Sequence, residues 1–322
     1  MKRLFIFWGL ILFILPCAFA QGEIAYRFAE REEGVELLLS NSAYYESFTQ
    51  NDLDYRVQKK DATLEEWLEF AGTQIMEFSE WDRKLISDAM DDIEAVLDEN
   101  GYALPELDEI VLIRTTGREE GGNAGYSLGN QIYVGDGHMN LLRSRYKTST
   151  RYGRFLLCHE LFHCLTRSHP RFRQDMYAVI GFTAWVEDFE PSEDILAISI
   201  TNPDVGRHNA SATFTIDGQP TECFVATLTP EPFEKPGDSF TDRFITALIP
   251  VERPDVYYTP EDASDFWDVF GRNTEYVIDP EECMADNFGF ALIYDGTNIL
   301  REPLQSMEII DAIREYLQSS AN

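Results

Sequence analysis

The sequence predicts an α+β fold in two lobes, and three observations carry that expectation. Helical periodicity is strong before residue 100 and returns after residue 262. Short alternating runs broken by Pro and Gly fill the stretch 195–258. A strongly apolar helix over 151–167 stands between the two parts.

The chain has 322 residues, enough for a sizeable core. Its 44% apolar and 13% aromatic content argues against disorder. The formal net charge of −31 repels phosphate backbones and anionic lipid, so nucleic acid is excluded as a partner. Solubility, or adaptation to a saline or wall-bound setting, is the ordinary meaning of such a surface.

Residues 1–20 read as an export signal. Met1-Lys2-Arg3 is a basic start, and the apolar run from Leu4 to Leu15 is too short to span a membrane comfortably. Ala18-Phe19-Ala20 then predicts cleavage before Gln21, leaving an exported chain, periplasmic or extracellular, with no integral span. Retention as an anchor and lipidation of Cys17 stand as alternatives, though Pro16 fits a lipoprotein signal poorly. Cys158, Cys164, Cys223 and Cys283 remain in the mature chain. A bridge from Cys158 or Cys164 to Cys283 is weighed against buried free thiols, which their apolar surroundings favour.

The elements follow in order. Residues 21–60 mix short apolar and polar stretches and read as an irregular N-terminal segment ahead of a domain over 61–322. Leu64, Trp67, Leu68, Ala71, Ile75 and Phe78 have helical spacing. Ser79 with Asp82 three residues on caps a second helix, which stops at Asn100-Gly101. Ile110 to Ile113 and Gln131 to Val134 read as strands. The 151–167 helix ends at His169-Pro170. Strands are expected over 195–200, 212–216, 223–228 and 244–249, and helices over 262–270, 279–294 and 304–317.

The chemistry lies in His159-Glu160-Leu161-Phe162-His163. On a helix, residues four apart share a face, so His159 and His163 can each give a nitrogen to one Zn²⁺. Glu160 is rotated by about 100° from His159 and is placed to accept a proton from the attacking water. The apolar neighbours Phe155, Leu156, Leu157 and Leu165 place this helix inside the protein.

Such a site needs a third protein ligand. His169 lies six residues past His163, but Arg167-Ser168-His169-Pro170 lacks the Gly of the metzincin arrangement and breaks the helix. Asp279-Pro280-Glu281-Glu282 starts a helix on which Glu282 and Asp286 share a face. Glu282 is the expected ligand, and Asp286 the expected partner of a histidine's far nitrogen. Asp279 and Glu282 also fit a capping box, which would use Glu282 for the backbone alone. Glu281 is expected to point away from the metal.

The His-Glu-Leu-Phe-His motif with a downstream Glu-x-x-x-Asp resembles the gluzincin branch of the zincin metallopeptidases, nearest to exported bacterial members. The resemblance covers about 125–294. It implies a zincin-like two-lobed domain acting on a peptide or protein substrate. It implies His159, His163 and Glu282 as zinc ligands, Glu160 as general base and Asp286 as the carboxylate behind a histidine. It also implies that Gln131 to Val134 is the cleft-edge strand. The family's oxyanion-steadying residue has His208, Tyr257, Tyr258 and Tyr276 as candidates. Asn202-Pro203-Asp204 reads as a turn. A zinc amidase acting on cell-wall peptide and a zinc-binding protein without turnover are the rival functions.

Overall fold

Ser79 accepts a hydrogen bond from the Asp82 backbone, Asp82 returns one, and the helix Glu80–Asn100 starts there. It ends at Gly101, whose φ of 62° is the left-handed cap that favours glycine. Its Leu85, Ile86, Ala89 and Ile93 turn inward. The computed structural model describes residues 19–20, 24–122, 125–145, 151–293, 295–298 and 300–320. The expected leader lies outside these residues except for Phe19–Ala20, which pairs antiparallel with Leu104–Pro105. The alternatives at Cys17 lie outside them too. Among the described residues no helix is long and apolar enough to cross a membrane.

The architecture is α+β. The first sheet runs in the order Tyr26–Phe28, Ile110–Thr115, Gln131–Val134, Tyr126–Leu128, with the first three parallel and the last antiparallel. Gln131–Val134 is therefore not the edge. The turn at Gly129-Asn130 folds Tyr126–Leu128 back along it, and that shorter strand takes the edge.

The stretch 21–60 is not irregular. Tyr26–Phe28 joins the sheet, and helices form at Arg31–Ser40, Ser42–Tyr45 and Gln50–Val57. Gln50–Val57 is mostly polar, which hides it from apolar periodicity. It is held instead by the Thr49/Asp52 capping box and by Arg56, which is buried against Asp52 (2.5 Å) and Glu120 (2.9 Å).

The second sheet is antiparallel, in the order Ile245–Pro250, Gln219–Leu228, Ala210–Ile216, Thr183–Ala184. The strand expected at 195–200 is a short helix, Glu193–Leu196, with Ser192 accepting from the Ile195 backbone. Pro170 does not end helical structure. It occupies the first turn of a new helix, Pro170–Val179, where its missing N–H costs nothing. The helix Asp136–Arg145 was not legible as one.

At the centre of the core the helices Arg151–Ser168 and Pro280–Ile293 pack against each other. Phe155 stacks on Phe290, with ring centroids 5.1 Å apart, and His163 meets Glu281, so the two helices run antiparallel. Every residue of Pro280–Ile293 is buried. Cys158, Cys164, Cys223 and Cys283 are all buried free thiols, as their apolar settings suggested, and none forms the bridge weighed above.

Candidate metal centre

The antiparallel packing brings His159 and His163 against the first two turns of Pro280–Ile293. The Nε2 of His159 lies 3.2 Å from Glu282 Oε2, and that of His163 lies 3.6 Å from the same oxygen. His159, His163 and Glu282 thus form one cluster whose donor atoms all lie within 4.8 Å of one another. The expected ligand set converges in space. Asp279 accepts from the Glu281 backbone at 2.8 Å, and Glu282 is turned to the histidines rather than back to Asp279.

Each histidine has its own carboxylate behind it. Asp286 Oδ1 lies 2.9 Å from His159 Nδ1, as its spacing suggested. Thr274 donates to the other Asp286 oxygen at 2.5 Å. Glu281 Oε1 lies 3.0 Å from His163 Nδ1, and this corrects the expectation that it points away. Glu281 also accepts from Thr166 at 2.5 Å and from the Tyr177 hydroxyl. With Nδ1–H donated to a carboxylate, each imidazole presents the lone pair of Nε2 to the cluster.

The charges follow from the packing. Burial opposes a proton on His159, but the neighbouring carboxylates of Asp286 and Glu282 outweigh it and raise its pKa. Burial likewise opposes charge on His163, and Asp204, Glu281 and Glu282 reverse the balance. Burial would raise Glu282, yet the two histidines hold it below its ordinary value. Glu160 is pushed up to about 8, by burial first and by the Asp204 charge next.

Three residues of the site carry no functional signal in the sequence: Asp204, Asn202 and His138. Asp204 was legible only as part of a turn, which it is: Asn202 Oδ1 accepts from the Asp204 backbone at 3.0 Å. That turn enters the site. Asp204 Oδ1 lies 4.0 Å from His163 Nε2, and Glu160, His163 and Asp204 make a second tight cluster. Asn202 donates to Glu282 Oε1 at 2.5 Å. His138, on the unforeseen helix, accepts from the Gly125 backbone at Nδ1 (2.9 Å), so its proton sits on Nε2. Burial, then the charge of His159, lowers its pKa to about 4. A loop residue carries no periodicity, so nothing local in the sequence marks Asp204.

Of the four oxyanion candidates, Tyr276 is beside the cluster, its ring centroid 6.3 Å from that of His159. Its phenol pKa is raised by desolvation first, then by Glu282 and Asp204. His208 lines a different cavity with Phe189 and Phe224. Tyr257 packs against the cluster around Leu228 and Ile249, and the Tyr258 hydroxyl accepts from Arg253 at 2.6 Å.

The donor set suits a metal by a direct criterion. Buried polar atoms are almost always hydrogen-bonded. Here His163 Nε2 and Glu282 Oε2, both aimed into the cluster, are buried without a hydrogen-bond partner, and so is one oxygen of Glu160. Two imidazoles and a carboxylate are also the ligand types of a hydrolytic zinc site. Comparison with protein-family models, curated proteins and solved structures finds no match for this chain.

Proposed function

We propose that this protein is a zinc-dependent hydrolase of amide bonds, a metallopeptidase of zincin-like fold acting outside the cytoplasm. The observation that supports it most is the convergence of His159 Nε2, His163 Nε2 and Glu282 Oε2, the last two left without hydrogen bonds in a buried site. His159, His163 and Glu282 would hold the ion. Bound there, zinc supplies Lewis acidity to a carbonyl oxygen and acidifies the attacking water.

The chain's own residues do the rest. Glu160 Oε2, buried and unpartnered, accepts the proton of the attacking water and returns it to the leaving nitrogen. Asp286 and Glu281 hold the imidazoles in the Nδ1–H tautomer. Asn202 fixes the Glu282 carboxylate through its other oxygen. Tyr276, whose ring centroid lies 6.3 Å from that of His159, would be the phenol that donates to a developing negative charge.

The test is elemental analysis of protein purified without added metal, beside His163→Ala, with hydrolysis of an unfolded protein measured on the same samples. One zinc per chain that disappears in His163→Ala, together with turnover, is expected. Trace zinc indifferent to that substitution overturns the reading.

A further inference from the structure

We propose that Asp204 binds the free ammonium group of the substrate, so that the enzyme removes residues from the amino end of peptides. The inference rests on the hydrolase reading and names its substrate class.

The first ground is the edge strand. A peptide bound in mid-chain by strand addition needs outward N–H and C=O groups to pair with. Along Tyr126–Leu128 the protein's own side chains take them. The Ser127 backbone N–H and hydroxyl both donate to Asp204 Oδ1, at 2.6 and 2.8 Å. The Gly129 carbonyl accepts from Arg167 at 3.2 Å, and the Gly125 N–H goes to His138. Arg167 also holds the carbonyls of Pro203 (3.0 Å) and Asp204 (3.1 Å), which locks the turn against this edge. Among the described residues the outward groups along this strand are thus taken by the protein's own side chains, and a chain continuing upstream of the scissile residue does not pair with it.

The second ground is what Asp204 has left over. Its Oδ1 spends its lone pairs on Ser127, while Oδ2 has no hydrogen-bond partner among the described residues. The side chain is only 10% exposed, and it lines a cavity of about 290 Å³ with Tyr126, Phe240, Phe244, Tyr276 and Ile278. Arg56 and Glu120, paired with each other, also line it, so the side chain it takes meets both apolar and polar wall. The free oxygen favours a cationic donor, and a charge-assisted hydrogen bond is the strong kind.

The third ground is distance. Asp204 Oδ1 is 4.0 Å from the metal-facing nitrogen of His163, and the free Oδ2 is bonded to the same carboxyl carbon. In an amino acid the nitrogen and the carbonyl carbon are two bonds apart, roughly 1.46 and 1.52 Å long. A carboxylate this close to the metal cluster meets the ammonium of the residue whose carbonyl is attacked, and nothing further upstream.

Calorimetric titration of the zinc-loaded full chain with leucine hydroxamate and with N-acetyl-leucine hydroxamate tests this without requiring turnover. Wild type should bind the free amine at least about tenfold more tightly, the worth of one hydrogen bond to a charged group. Asp204→Asn should keep its zinc and lose the difference. Ser127→Ala, which loosens the turn but keeps the charge, should retain it. Equal binding of both compounds by wild type overturns the proposal and leaves the zinc site standing. Loss of zinc from Asp204→Asn also overturns it, because Asp204 would then be a ligand. A wild type that holds no zinc and binds neither compound removes the hydrolase reading and this inference together.

Discussion

His163 Nδ1 lies 3.0 Å from Glu281 Oε1, so the carboxylate preceding the candidate ligand Glu282 orients the second histidine as Asp286 orients the first. The ring centroids of the two imidazoles lie 4.8 Å apart, and each needs its own acceptor. The Glu282/Asp286 face offers an acceptor to Nδ1 of His159, and Glu281 offers the one that Nδ1 of His163 needs.

Glu281→Gln should therefore weaken zinc binding about as much as Asp286→Asn, by about 10- to 100-fold each. Glu282→Gln should weaken it far more. Competition with a chelator ranks the three. A Glu281→Gln protein with wild-type affinity would show that its bond to His163 does not support the metal.

Glu160→Gln should keep full zinc and an unchanged unfolding midpoint, yet lose turnover by at least about a hundredfold. The amide is nearly isosteric and cannot accept the proton. Near wild-type rates in single-turnover assays would assign the base elsewhere.

The metal-free protein should lose stability as pH rises. Glu160 is raised to about 8, Asp279 to about 8 and Glu120 to about 7, each chiefly by burial, from an unfolded value near 4. His159 and His163 are raised as well. Over that window the folded chain binds more protons than the unfolded one, so the unfolding free energy falls with rising pH. The histidine contribution is complete below about 6.5 and disappears as pH passes the raised folded values. Urea midpoints from pH 5 to 9, taken in chelator, should fall steadily, and added zinc should reverse the fall at the alkaline end. A flat or rising profile without metal would contradict the burial of these groups.

Gly289→Ala should disturb the site from a distance. A Cβ there would lie 2.8 Å from Phe155 Cδ2 and 3.3 Å from the Phe155 carbonyl oxygen, forcing the two central helices apart. Overpacking of this kind costs about 1–3 kcal/mol. Zinc affinity should drop with it, since the histidines and Glu282 come from opposite sides of that contact. A stable variant with intact affinity would mean the helices can slide without cost.

The sequence by itself determined the features that repeat along a helix. The Ser79/Asp82 cap, the stop at Gly101, the apolar helix with its paired histidines and the Glu282/Asp286 face are all set within one or two turns, where spacing fixes direction. Tertiary structure alone decided what came from elsewhere. Glu281 faces His163 because two helices cross antiparallel, and Asp204 reaches the cluster because Arg167 and Ser127 hold a loop against a strand edge. The polar helix Gln50–Val57 is held in place because Arg56, paired with Asp52 inside the helix, also meets Glu120, 64 residues on in the chain. These contacts join segments distant in sequence, and their energy depends on burial and geometry that no local pattern encodes.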